Sequence, residues 1–242
     1  MKFDPPLVPA TLVRRYKRFL FDAVLDDGSE ITGFCPNTGS MRGLTDPGSR
    51  IWMSDHAGSL RKYRYAMELV EAQGTVVGVH AALANRLGEE AIRAGLASDL
   101  SSYETIRREQ RYGRNSRVDF LLSSAGRPDA YVEVKNVHFT REPGLAEFPD
   151  TVTARGARHL SDLAEAVQQG HRAIMLYVIQ RDDCDRFHLS GDLDPAYAAA
   201  FAAATRRGVE AYAVSCRVNP REITPIRLIG MDETISAALN TL

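Results

Sequence analysis

RVDFLLSSAGRPDAYVEVKN, running from Arg117 to Asn136, decides the fold. It is an apolar run holding Asp119, a polar Gly/Pro loop, and a second apolar run carrying Glu133 and Lys135. Strand side chains alternate between faces, so Glu133 and Lys135 project together while Val132 and Val134 project the other way. A hairpin centred on Gly126 puts Asp119 directly opposite Glu133, and Val118 and Phe120 opposite Val134 and Val132. One face is then apolar, and the other gathers two carboxylates and an ammonium.

Like charges facing each other across a ladder are destabilising, because cross-strand Cβ atoms lie only about 4.5–5.5 Å apart. A hard divalent cation such as Mg²⁺ or Mn²⁺ relieves that repulsion, being held by one or two carboxylates, waters and a phosphate. This is the layout of a PD-(D/E)xK nuclease site. Asp119, Glu133 and the Val134 carbonyl would bind the metal, and Lys135 would position the attacking water. The competing reading is a charged solvent face in which Lys135 bridges Glu133 and Asp119.

Working outward, AALANRLGEEAIRAGL from Ala81 has helical spacing, with Leu83, Leu87, Ala91 and Leu96 along one side. ETIRREQRYG alternates like a strand, so a three-stranded meander results. If its first turn centres on Arg114, Glu109 also faces Asp119, and a slip of one residue would turn it away. TARGARHLSDLAEAVQQG is a helix capped by Thr153 and ended by Gly170, with Leu160, Leu163, Ala164 and Val167 as its apolar stripe. RAIMLYVIQ is a continuous apolar run, as expected of a strand buried on both faces. PAYAAAFAAATRRG is a further helix, and EAYAVSCRV a further strand. Helix, three strands, helix, strand is the core order of the same nuclease superfamily.

Before His80 the pattern is strand and turn, with DDGS and NTGS as turn signals, which suits a small barrel of the OB type. The expected fold is therefore all-β followed by α/β: an OB-like β-barrel over residues 1–80 and a PD-(D/E)xK nuclease-like domain with a mixed sheet over residues 81–242. Three basic blocks interleave with aromatic residues. They hold Arg14, Arg15, Lys17 and Arg18; then Arg61 and Lys62; then Arg114 and Arg117 within the run from Arg107. Such blocks suit phosphate neutralisation and base stacking, although any one of them could be a solvated strand face.

The net charge of −1 conceals this local asymmetry, and 44% apolar with 25% charged residues places the chain among ordinary globular proteins. No apolar run approaches the roughly 20 residues that span a bilayer. The start MKFDPPLVPA lacks the apolar core of a secretory signal. Cys35, Cys184 and Cys216 are odd in number and widely spaced, which argues against disulfides and zinc knuckles. A cytoplasmic location is expected. Phosphate-loop, dinucleotide and serine-hydrolase motifs are absent from the sequence.

Six motifs together carry a family resemblance over essentially the whole chain. They are RYKRFL (Arg15–Leu20), CPNTGSM (Cys35–Met41), the Arg61-Lys62-Tyr63 block, SRVDF (Ser116–Phe120), YVEVKNV (Tyr131–Val137) and FPDTVTARGARHL (Phe148–Leu160). The chain resembles the sugar fermentation stimulation protein A family. That resemblance implies an OB-like domain, a PD-(D/E)xK-like domain, DNA binding, and a link to sugar catabolism, maltose in particular. Val118 stands where the superfamily places proline before the metal-binding aspartate. Glu90, next to Glu89, is the candidate for the first-helix acid, and Asp150, Arg155 and His159 are candidates to flank the site. Two functions are carried forward: a sequence-tolerant DNA-binding protein, and a metal-dependent nuclease.

Overall fold

The structure, a computed structural model, describes residues 1–112 and 116–231. Strands β1 (Val8–Tyr16), β2 (Leu20–Leu25), β3 (Glu30–Phe34), β4 (Arg50–Asp55), β5 (Tyr65–Ala72) and β6 (Thr75–Gly78) form the first sheet, in the order β3-β2-β1-β4-β5-β6. β3 also pairs in parallel with β5 at Phe34 and Ala66, which closes five strands into an OB barrel. Leu12, Phe21, Ile51, Met53, Met67 and Val70 fill the interior. Gly33 is required by that packing, because a Cβ there would lie 2.2 Å from the Phe21 ring.

The second domain runs α1 (Leu83–Arg93), α2 (Ser98–Ser101), β7 (Thr105–Tyr112), β8 (Ser116–Ser123), β9 (Ala130–Val137), β10 (Phe139–Glu142), β11 (Gly144–Phe148), α3 (Ala154–Gln168), β12 (Arg172–Ile179), β13 (Cys184–Leu189), α4 (Pro195–Arg206), β14 (Glu210–Asn219) and β15 (Glu222–Met231). Its nine-stranded mixed sheet has the order β10-β11-β13-β15-β14-β12-β9-β8-β7. β12 lies between β9 and β14, parallel to both, and its apolar run is buried on both faces. One core layer lies between the sheet and α1, and another beneath α3 and α4. The first residues cross to the second sheet: Lys2 bridges Glu222, and the Phe3 N–H donates to the Arg221 carbonyl at 2.9 Å.

The meander has the register that the turn centres imply. Phe120 faces Val132, and Arg108 and Gln110 face Phe120 and Val118. Asp119 is the break in both ladders. The β8–β9 pairs stop at Phe120, and Glu109 leaves the β7 ladder with a left-handed φ of 54°. Across this break the side-chain alternation changes phase. Phe120 and Leu122 pack with Val132 and Val134 on the α1 side, whereas Val118 packs with Tyr112 in the other layer. This corrects the expectation of one apolar face shared by Val118 and Phe120. An unbroken ladder would have kept them together; the interruption frees Asp119 from backbone pairing instead.

Candidate active site

Asp119 stands where β8 and β9 part. Its Oδ2 accepts the Val134 N–H at 2.7 Å, taking the place of a ladder carbonyl, and its Oδ1 accepts from Asn85 Nδ2 on α1 at 2.7 Å. Glu133, on the adjacent strand, is 4% exposed. Its Oε1 accepts from Lys135 Nζ at 2.6 Å and from His159 Nδ1. Arg155 Nε donates to His159 Nε2 at 3.2 Å. A guanidinium can only donate, so His159 Nε2 is an acceptor and the ring proton sits on Nδ1, facing Glu133. Arg155 and His159, four residues apart, share a face of α3 and hold the Glu133 rotamer. That helix begins where expected: Thr153 Oγ1 accepts the Gly156 N–H at 3.2 Å, and Asp194 Oδ2 accepts the Thr153 N–H at 2.7 Å.

The two carboxyls are driven apart in acidity. Burial, and then the charge of Glu133, raise the pKa of Asp119 against the opposing bonds from Val134 and Asn85. Burial also pushes Glu133 up, but the hydrogen bond from His159 and the ammonium of Lys135 outweigh it and leave Glu133 below its ordinary value.

Among the described residues no cluster of three or more His, Cys, Asp or Glu side chains is arranged to hold a metal. The oxygen set does fit a hard cation in its chemistry. Each carboxylate oxygen has lone pairs beyond its present bonds. The N–H and C=O of one strand residue point to the same neighbour, so the Val134 carbonyl faces the gap in which its N–H meets Asp119. The repulsion that raises Asp119 is what a divalent cation would remove.

The other candidate residues are placed as follows. Glu90 is not brought to Asp119, for its Oε2 meets the Met1 amino group at 2.8 Å and its Oε1 meets Arg86 at 3.5 Å. Glu89 is held by Arg93 and Arg108. The helix residue that reaches the site is the amide Asn85, which a search for an acid passes over. Glu109 lies out in solvent with Arg117 at 3.4 Å. Arg114 lies outside the described residues. Asp150 belongs to the domain junction: its Oδ2 accepts from Ser40 Oγ at 2.7 Å and the Met41 N–H at 3.0 Å, both from the barrel, and lies 3.5 Å from His138.

In the first basic block, Arg14 pairs with Asp22 at 2.8 Å. Arg15 is held within the barrel. Its Nη2 donates to the carbonyls of Asn37 at 2.8 Å, Gly39 at 2.9 Å and Arg18, so it braces the CPNTGSM loop. Lys17 and Arg18 form the turn itself, with φ of 49° and 67°. Arg61 contacts His56 Nε2 at 2.9 Å, and the Lys62 ammonium lies 5.4 Å from the Tyr63 ring centre.

Asp150 allows a pH prediction. Burial pushes it up, yet His138, Ser40 and the Met41 N–H bring it down to about 2 from an ordinary 3.8. The folded carboxyl binds its proton less tightly than the unfolded one. Its stabilisation is therefore present above about pH 4 and lost as pH falls towards 2, and is worth about 2 kcal/mol. Urea unfolding should show Asp150→Asn less stable than the parent at pH 7, with the gap closing near pH 2.5. A gap independent of pH would refute this assignment.

The described residues thus form an OB barrel joined to a nine-stranded mixed sheet, with Asp119, Glu133 and Lys135 where two of its strands part. Family models agree. That of the SfsA N-terminal OB domain matches residues 13–79, and that of the sugar fermentation stimulation protein RE domain matches residues 82–222. The chain belongs to the sugar fermentation stimulation protein family. It is 64% identical over 239 residues to the sugar fermentation stimulation protein homolog of Agrobacterium fabrum, covering 99% of this chain and 100% of that one. It is 65% identical over 241 residues to the homolog of Rhizobium rhizogenes, covering 100% of this chain and 97% of the relative. Among solved structures, Pyrococcus furiosus SfsA in complex with Ca²⁺ superposes with a TM-score of 0.83 at 26% identity, covering 96% of this chain and 98% of that one.

Proposed function

We propose that this protein binds DNA and hydrolyses its phosphodiester bonds with a divalent cation, Mg²⁺ or Mn²⁺, at Asp119, Glu133 and the Val134 carbonyl. The observation that carries this reading is the pair of carboxyls, half-buried Asp119 raised and buried Glu133 lowered, beside Lys135 where the ladder opens. The Ca²⁺ bound by the Pyrococcus relative supports an oxygen-donor cation site. When bound, the cation supplies charge neutralisation at the phosphoryl oxygen and acidifies a water. Asp119 is oriented by Asn85 and the Val134 N–H, and Glu133 by His159. Lys135, held by Glu133, is placed to stabilise charge developing on the phosphate.

The test is incubation of pure protein with single-stranded, duplex and branched DNA and with RNA, in Mn²⁺ or in chelator, together with calorimetric titration of the cation. Metal-dependent cleavage is expected. Neither cleavage of any form nor cation binding would leave the second reading, a DNA-binding platform without chemistry. The amide Asn85, standing where a first-helix acid would complete the site, favours that alternative. A regulatory role in sugar catabolism, maltose in particular, would act through the same DNA binding.

Binding itself should be governed by phosphate contacts. Each neutralised phosphate contributes about −0.9 to the slope of log affinity against log salt on duplex DNA. Lys17→Ala combined with Lys62→Ala should flatten that slope by about 1 to 2 units. An unchanged slope would show that both ammonium groups stay in solvent.

A further inference from the structure

A second recess lies on the barrel, apart from the Asp119–Glu133 centre. It is a cavity of about 400 Å³ lined by Phe34, Pro36, Arg61, Lys62, Tyr63, Ala66 and His80, over the point where β3 and β5 close the barrel. That volume is within the usual range for small-ligand sites. Phe34 and its neighbour Phe19 are 37% and 39% exposed, with ring centres 6.4 Å apart and planes inclined by 47°. Two large apolar rings side by side in solvent are an unusual surface. Lys17 and Arg18 immediately precede Phe19, and Arg61 and Lys62 stand at the cavity wall. Aromatic faces rimmed by cations are the elements of a base-stacking platform.

The polar wall is preorganised. His80 Nδ1 contacts Glu68 Oε2 at 2.7 Å, and Glu68, itself 6% exposed, also accepts from Ser54 Oγ at 2.7 Å. A carboxylate accepts only, so His80 Nδ1 donates to Glu68, and Nε2 is the ring nitrogen left for the polar edge of a base. The His80 carbonyl accepts from Gln180 Nε2 at 3.3 Å, and the same amide donates to Asn136 Oδ1 at 2.6 Å, next to Lys135. This recess is therefore tied by one side chain to the strand that carries the candidate active site.

We propose that this face binds single-stranded nucleic acid, with an unpaired base stacked on Phe34 and Tyr63 in the cavity, the next base on Phe19, and the phosphates on Lys17, Arg18, Arg61 and Lys62. A duplex offers only base edges in its grooves, so its bases cannot fill this site without leaving the stack. The inference rests on the proposed nucleic-acid binding but not on cleavage.

The test is fluorescence anisotropy in chelator with short oligo-dT, oligo-rU and a duplex of equal length. Single strands should bind more tightly than duplex, and the DNA and RNA arms show which sugar is preferred. Phe34→Ala and Tyr63→Ala should each weaken single-strand binding by roughly 5- to 150-fold, the worth of one base–aromatic stack, while duplex binding changes by less than about twofold. Phe34→Trp should retain affinity, and its fluorescence should be quenched by the oligonucleotide. Equal affinity for both forms, equal loss on both in the variants, or an unquenched Phe34→Trp would overturn the proposal while leaving duplex binding intact. Absence of binding to either form would instead remove the proposed DNA binding together with it. Should Phe34→Ala unfold the barrel, the Phe34→Trp quenching decides.

Discussion

Asp119→Asn should lower metal-stimulated cleavage by about 10²–10³-fold or more, the scale of losing one electrostatic contact in a transition state. The change keeps shape and removes only the charge that a cation needs. DNA affinity in chelator should be equal or slightly better, since one carboxylate near the phosphates has gone. Stability is subject to two opposed effects. Burial and Glu133 raise the pKa of Asp119, so its ionised form costs folding free energy at neutral pH, and the neutral amide removes that cost. Against this, Asp119 accepts hydrogen bonds through both oxygens, and an amide has only one oxygen. Asn85 can offset the loss by turning its own amide oxygen to the new N–H. The net change in stability should lie within about 1 kcal/mol, a single hydrogen bond. Single-turnover cleavage, anisotropy and urea unfolding at pH 7 check the three parts. Cleavage by Asp119→Asn at the parental rate would remove this residue from the chemistry.

Arg15→Ala should destabilise the barrel by about 2–3 kcal/mol, the worth of losing charge-assisted hydrogen bonds that leave partly buried carbonyls unpaired. The guanidinium gathers the carbonyls of Asn37, Gly39 and Arg18. That loop also presents Ser40 Oγ and the Met41 N–H to Asp150, so the loss extends to the domain junction. Lys17→Ala, two residues away, should leave stability within about 0.5 kcal/mol and act on DNA affinity alone. Denaturant unfolding and salt-dependent binding of the two variants separate bracing from phosphate contact. If Arg15→Ala keeps its unfolding midpoint and weakens DNA binding, its reading as a phosphate contact stands instead.

Local rules made much of this molecule legible in its sequence. Alternation around the Gly126 turn implied the Phe120–Val132 register. Thr153, Gly170 and the apolar stripe between them marked α3, and the unbroken run of β12 marked a strand covered on both sides. The strand-and-turn rhythm before His80 implied the barrel. These are consequences of backbone geometry and of which side chains can leave water, and both operate over a few residues.

Long-range packing decided the rest. Periodicity carries a strand's phase unchanged from end to end, so it could not show that Val118 and Phe120 part into different layers at Asp119. β10, β11, β13 and β15 are strands whose place in the sheet depends on distant partners. Which helix residue reaches Asp119 was settled by how α1 lies on the sheet: Asn85 arrives, and Glu90 is held by Met1. Asp150 and Arg15 took their roles from a loop and a domain junction that exist only in the folded chain. A charged residue in sequence carries its chemistry with it, but its partner, and hence whether it binds, braces or reacts, is set by contacts across tens to a hundred residues.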